Sequence, residues 1–152
     1  MTVLPDQLGT VASWSAWVPF AVAVRTAPRL PGVYLARRAA SGPLVYVGMA
    51  GERRGAGIRS RLSIYDRGRA AVSGLGEAAL DRALADPGWL RQRLAEVEAG
   101  QTRRAVVWAQ EAIRWADLHI SWTTTVDRAA AMALERSILQ LLVDQVLWNR
   151  LR

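Results

Sequence analysis

The sequence predicts a mixed α/β chain, of the α+β kind, with three strands set among helices. Three observations predict it. Two short β-rich segments, residues 33–36 and 44–47, stand at hairpin distance. A third, residues 118–126, alternates and carries β-branched side chains. Elsewhere apolar residues recur three and four positions apart, the helical period.

Taken in order, residues 1–30 have no clear period and read as a lead-in that packs on the domain after it. Trp14, Trp17 and Phe20 stand three apart, as on a short docked helix; an aromatic platform for stacking bases is the other reading. Pro31-Gly32 breaks the chain before the first strand, and Ser41-Gly42-Pro43 turns it within a loop at 38–43. Residues 48–57 form a loop with four glycines and two arginines. A helix over 58–67 follows, with Ile58, Leu62 and Tyr65 on one stripe. The middle of the chain is helical over 77–84, 89–98 and 103–115. Asp86-Pro87 ends the first of these, and Leu90, Leu94 and Val97 run in step along the second. Asp127 is an N-cap for a last helix reaching about residue 146. There is no repeat and no second domain, so 31–152 reads as one domain with a helical insert at about 70–116.

A chain of 152 residues with 51% hydrophobic content can bury its own core. No apolar run approaches the ~20 residues that span a bilayer, and residues 1–8 lack a secretion signal. The absence of cysteine removes disulfides, thiolate zinc sites and cysteine nucleophiles. The expectation is a cytoplasmic protein with no membrane partner. All 20 basic residues are arginine, and the net charge is +7. Codon usage in a GC-rich genome accounts for arginine replacing lysine, but not for the excess charge. Such a surface favours a polyanion, and guanidinium groups bind phosphate through two hydrogen bonds.

Several residues carry candidate chemistry. Glu135 aligns with Leu139, Leu142 and Val146, beside a line of Leu134, Ile138 and Leu141. A carboxylate on so wide an apolar face is costly unless paired or bound to a cation. The spacing equally allows a glutamate at the edge of the core. Arg61 and Tyr65 are helical neighbours bordering the Ile58/Leu62 stripe. They fit a phosphate contact, or a solvated arginine lying beside a half-buried tyrosine. Tyr34 and Tyr46 occupy the two hairpin strands, where tyrosines usually pack. The glycine loop lacks the GxxxxGK[ST] pattern of an ATP-binding loop. His119 is the sole histidine, and its default role is structural.

The order of these features carries more than any one of them. Pro31-Gly32-Val33-Tyr34 precedes Val45-Tyr46-Val47-Gly48; Gly57-Ile58-Arg59-Ser60-Arg61-Leu62-Ser63-Ile64-Tyr65 follows. A strand then leads to Ala133-Leu134-Glu135, and Trp148-Asn149-Arg150 comes last. Over residues 30–151, with a break, this resembles the GIY-YIG nuclease superfamily. The nuclease domains of bacterial nucleotide-excision repair are the nearer likeness and homing endonucleases the more distant one.

The resemblance implies a three-stranded antiparallel sheet flanked by helices, with the site on one face of the sheet. By it, Tyr34 and Tyr46 are the motif tyrosines, and Arg61 is the catalytic arginine. Tyr65 fills a position that is Tyr or His, Glu135 is the metal ligand, and Asn149 closes the site. The implied activity is metal-dependent cleavage of DNA, leaving 5′-phosphate and 3′-hydroxyl ends, in repair, restriction or mobile-element defence. Mg²⁺ or Mn²⁺ is the implied cofactor. Arg53, Arg54, Arg59 and Arg67 are the expected DNA contacts, and Tyr46 or Tyr34, rather than Tyr65, would orient or deprotonate the attacking water.

Two features depart from the pattern. Met49 stands where the repair nucleases usually have lysine, a charge that Arg53 or Arg54 would have to replace. The stretch 68–116 exceeds the compact family core and holds Arg82, Arg91, Arg93, Arg103 and Arg104 among acidic residues, as a DNA-binding or a packing insert. Met49 supports an alternative, a GIY-YIG-fold nucleic-acid-binding module with weak or no catalysis. A protein–protein adaptor is a third reading. No separate recognition domain is visible, so a homodimer mate or a recognition subunit would set specificity.

Overall fold

Tyr34 and Tyr46 lie on adjacent strands of an antiparallel hairpin, β2 (Gly32–Arg38) and β3 (Leu44–Ala50), in a computed structural model that describes residues 4–52 and 56–150. Turn residues 39–43 join the strands, and Ala39 takes a positive φ of 58° there. Strand β4 (Leu118–Thr124) pairs antiparallel with the other side of β2. A two-residue strand, β1 (Val18–Pro19), pairs with β4, so the sheet has four strands in the order β1-β4-β2-β3 rather than the expected three.

The fourth strand comes from the lead-in. Its residues 12–17 are not helical, contrary to the three-residue spacing of the aromatics. Ser15 donates its backbone N–H to the Trp122 carbonyl (2.8 Å), and its hydroxyl accepts from the Trp122 N–H (2.9 Å). These bonds hold the segment extended beside β4. The aromatics therefore divide: Trp14 and Trp17 pack on one face of the sheet, Phe20 on the other. Short helices flank the segment, α1 (Asp6–Val11) before it and α2 (Phe20–Thr26) after β1.

Side chains alternate across a strand, so the sheet sorts its residues onto two faces. Val33, Leu35 and Val47 meet Leu8 and the last helix, α7 (Arg128–Leu141), through Ile138 and Leu142. Tyr34, Ala36, Tyr46, Leu118 and Ile120 meet Phe20 and Ala23 of α2 and Ile58, Leu62 and Tyr65 of α3 (Gly57–Asp66). The insert comprises α4 (Gly74–Leu84), α5 (Pro87–Glu98) and α6 (Ala105–Trp115). Leu75, Ala79 and Ile113 attach it to the tyrosine side.

Capping follows the sequence closely. Asp127 accepts the Ala130 N–H (2.8 Å) at the start of α7. Asp86 does more than end a helix: it caps α5 by accepting the Trp89 N–H (2.7 Å), with Pro87 in the first turn. Helix α5 does not dock by its Leu90/Leu94/Val97 stripe, which is exposed. It docks by Trp89 and by Arg93, which is 4% exposed and pairs with Glu96 and with Glu111 of α6. The ion pairs and the edge-to-face contact of Trp89 with Trp108 outweigh the apolar period there.

Helix α7 stops at Leu141, five residues short of expectation, which leaves Val146 92% exposed and off the Glu135 line. The chain then turns back along the free edge of β3. Trp148 donates its N–H to the Val45 carbonyl, and Asn149 bonds the backbone of Val47 twice, accepting its N–H (3.0 Å) and donating to its carbonyl (2.7 Å). A side-chain amide thus takes the place of a neighbouring strand at an edge that would otherwise expose unpaired donors and acceptors. No helix among the described residues is long and apolar enough to cross a membrane.

Asn149→Ala is expected to cost about 2 kcal/mol, two ordinary hydrogen bonds. Asn149→Asp should cost a similar amount, because its carboxylate faces the Val47 carbonyl. Urea denaturation midpoints check both; an unchanged midpoint in either variant would remove the edge-capping role.

Candidate active site

The site begins with a ring that needs space. Tyr34 projects from β2 across to Gly48 on β3, its cross-strand partner. A Cβ at position 48 would lie 2.3 Å from the Tyr34 ring and hydroxyl, so only glycine admits the tyrosine. Tyr46 stacks on Tyr34 with ring centroids 6.2 Å apart, and Tyr65 of α3 meets it edge-on at 6.5 Å. The Tyr34 hydroxyl bonds the Tyr65 hydroxyl at 3.1 Å. Gly74, at φ 56°, opens α4 and leaves room for the Tyr65 hydroxyl, which a Cβ there would meet at 2.3 Å. The sequence reading overlooked Gly74; its one sign is its place just before a helix with Leu75 behind it.

Helix α3 is fixed by its first turn. Ile58 and Arg59 donate backbone N–H groups to the carbonyls of Leu30 (3.0 Å) and Pro28 (3.1 Å). Gly57 makes this docking possible, since a Cβ there would strike the Leu30 backbone at 2.2 Å. Arg59 donates Nε to the Ala27 carbonyl (2.7 Å), bracing α2 against α3. Arg67 is exposed, and its Nε donates back to the Ser63 carbonyl of its own helix. Arg61 differs from both. It is half-buried, makes no ion pair or hydrogen bond with the described residues, and lies close enough to favour ionisation of Tyr34 electrostatically.

Burial opposes that influence and wins. Tyr34 is 1% exposed, and desolvation holds its phenol well above the usual value near 10, with Tyr65 and Tyr46 pushing the same way and Arg61 against them. Tyr34 is therefore a proton donor at neutral pH. Of the three rings Tyr46 is the least buried, at 9% exposed.

Glu135 does not join the tyrosines on their face. It lies on α7, which covers the other face, half-buried beside the Leu134/Ile138 line. Strand β3 is the sheet edge between the two. The start of α7 packs on the end of β3: the Arg128 side chain lies against Gly51, and the Arg128 N–H donates to Glu52 (3.0 Å). From Arg128 to Glu135 a helix climbs about 10 Å, the length of about three strand residues. Leu142, just past α7, shares a cluster with Leu44 at the other end of β3, so Glu135 lies along α7 between helix positions associated with the two ends of that strand. Met49 points to the α7 side as well, packed among its apolar residues. A lysine there would face the helix and not the tyrosines.

Asn149 lies at the same edge, bonded to Val47. Arg53 and Arg54 fall outside the described residues. His119 is half-buried in β4, its Nδ1 enclosed without a hydrogen-bond partner, away from these groups. No cluster of three or more acidic, histidine or cysteine side chains exists among the described residues. Glu135 is a half-buried carboxylate, and carboxylate oxygens suit hard cations such as Mg²⁺.

The tyrosine trio makes two testable demands. Gly48→Ala should cost about 3 kcal/mol, the upper range for overpacking, by forcing the Tyr34 ring out of place; thermal unfolding measures it, and a variant as stable as the parent would refute the cradle. The second demand concerns pH. The chain has no lysine or cysteine, so no side chain of those types obscures the linkage to Tyr34 above about pH 9. The unfolded chain loses the Tyr34 proton near pH 10 while the folded one retains it, so stability is level below about pH 10 and falls above it. Denaturation midpoints from pH 8 to 12 should fall less steeply in Tyr34→Phe, and equal slopes would contradict the assignment.

Compared with protein-family models, curated protein sequences and solved structures, the chain matches none of them. The geometry of the site itself therefore carries the functional reading.

Proposed function

We propose that this chain is a metal-dependent endonuclease of the GIY-YIG type that hydrolyses DNA phosphodiester bonds to 5′-phosphate and 3′-hydroxyl ends. One observation carries the reading: Tyr34, Tyr46 and Tyr65 converge on one face of the hairpin, next to an arginine that no carboxylate among the described residues neutralises. Structural arginines here are engaged, as Arg59 and Arg93 are. Leaving Arg61 half-buried and unpaired has a cost that binding an anion would offset.

Each residue then has a distinct task. Arg61 grips a non-bridging phosphate oxygen through its forked donors. Tyr46, the most accessible of the trio, orients the attacking water. Tyr34 is excluded as the base, since burial keeps its proton in place. It holds the Tyr46 ring by stacking and Tyr65 by a hydrogen bond. Asn149 fixes β3, and with it Tyr46, by tying the adjacent Val47. Glu135, from across the edge strand, would hold Mg²⁺ or Mn²⁺. Such an ion, when bound, neutralises charge on the phosphate and on the leaving oxygen. The excess of arginine draws the polyanion to the surface.

The second reading is a DNA-binding module with little catalysis. Met49 favours it, because the side of β3 facing α7 is apolar where the family usually has a cation.

Arg61→Ala and Glu135→Ala should each lower Mg²⁺-dependent cleavage of plasmid DNA by at least about 100-fold. Tyr46→Phe should lower it comparably, and Tyr34→Phe much less. An inert parent on single-stranded, nicked, flapped and duplex DNA with either metal would overturn the nuclease reading. Salt-dependent DNA binding by that inert parent would establish the module instead.

A further inference from the structure

A groove of about 610 Å³ opens where the insert meets the start of β3 and the segment after α7. Its size is within the range of small-molecule sites. Two indoles, Trp115 and Trp148, and two guanidiniums, Arg38 and Arg82, line it. Arg38, at the end of β2, donates Nε to the Ala116 carbonyl (3.1 Å) and Nη2 to the Trp115 carbonyl (3.4 Å), and lies 4.5 Å from the Trp115 ring. Those carbonyls fix the guanidinium, and no carboxylate among the described residues pairs its charge. Arg82 of α4 is exposed and makes no ion pair or hydrogen bond with the described residues. Asp86 also lines the groove, but Oδ1 of its carboxylate accepts the Trp89 N–H.

Trp148 is the centre of the arrangement. Arg38 and Arg82 stand 5.8 and 5.7 Å from its ring, over an ångström farther than Arg38 stands from Trp115. A cation at that distance is still attracted, but it is not in stacking contact. Arg82 hangs on a flexible stem and can withdraw to admit a flat ring, then close over it.

We propose that this groove binds a nucleobase together with its phosphate, presented by an unpaired stretch of nucleic acid. The base stacks on Trp148 and is covered by Arg82, while Arg38 and Arg82 hold the flanking phosphates. A duplex hides the faces of its bases and fits poorly; an unpaired base offers one whatever its identity. The insert thereby acquires a role, since it contributes Arg82 and Trp115 to one wall. The inference extends the DNA reading above but does not require cleavage.

The test is fluorescence anisotropy with labelled oligothymidylate, an abasic strand of equal phosphate number and a duplex, with EDTA present and no divalent ion. The parent should bind oligothymidylate at least about fivefold more tightly than the abasic strand, the least expected for one stacked base. Thymidine monophosphate should compete. Arg82→Ala should lose about fivefold or more for oligothymidylate at an unchanged thermal midpoint. Equal affinity for the abasic strand, or an unaffected Arg82→Ala, would overturn the groove. Either result leaves the nuclease reading untouched, and a protein that never cuts DNA but passes this test keeps the groove.

Discussion

The contact between the Tyr34 ring and Gly48 is the constraint on which the rest of the structure depends. A phenol of that size fits over the next strand only where the next strand has no side chain. Once seated, the ring fixes Tyr46 by stacking and draws α3 in through the Tyr65 hydroxyl. Helix α3 brings Arg61 with it, and Gly74 lets the insert close behind Tyr65. One small residue thus sets the position of three aromatic rings, one helix and one cation. Water is excluded as a result, and the Tyr34 proton stays bound at pH values where an exposed phenol would begin to lose it.

The sheet is small but covered on both faces, so its edges are where chemistry and solvent can meet. The β1 edge is shortened to two residues and contains Pro19, which has no N–H to offer. The β3 edge is closed at Val47 by the side chain of Asn149. Tyr46 and Glu135 belong to opposite faces, and β3 separates them. The proposed site therefore spans an edge. That arrangement gives the asparagine a mechanical meaning: it holds straight the strand on which the two halves must agree.

Much of this was legible in the chain because the signals were local. The hairpin followed from two β-rich runs and a Ser-Gly-Pro turn, and the last helix from an Asp N-cap that the structure bears out. The trio of tyrosines was legible only through the order of motifs, since strand tyrosines by themselves imply packing, and these do pack. Non-local competition decided what went unread. Ser15 found the Trp122 backbone more than a hundred residues away and became strand-like, so the spacing of Trp14, Trp17 and Phe20 misled. Helix α5 exposed its apolar stripe because Arg93 met Glu111 on a neighbouring helix. The length of α7 was overread because Val146, though in phase, lies beyond the point where the chain turns to cap β3. No periodicity distinguishes the two faces of the sheet, so the placement of Glu135 opposite the tyrosines could not be read in advance.

The central claim is that Glu135 and the tyrosine–arginine cluster act on one bound phosphodiester across the β3 edge. Paramagnetic broadening by Mn²⁺ measures this most directly. In the parent, substoichiometric Mn²⁺ should broaden the ring resonances of Tyr46 and the side-chain resonances of Arg61, and Glu135→Gln should abolish the effect while the fold remains intact. Broadening that persists in Glu135→Gln, or that spares Tyr46 and Arg61 while striking a distant surface, would contradict a shared site.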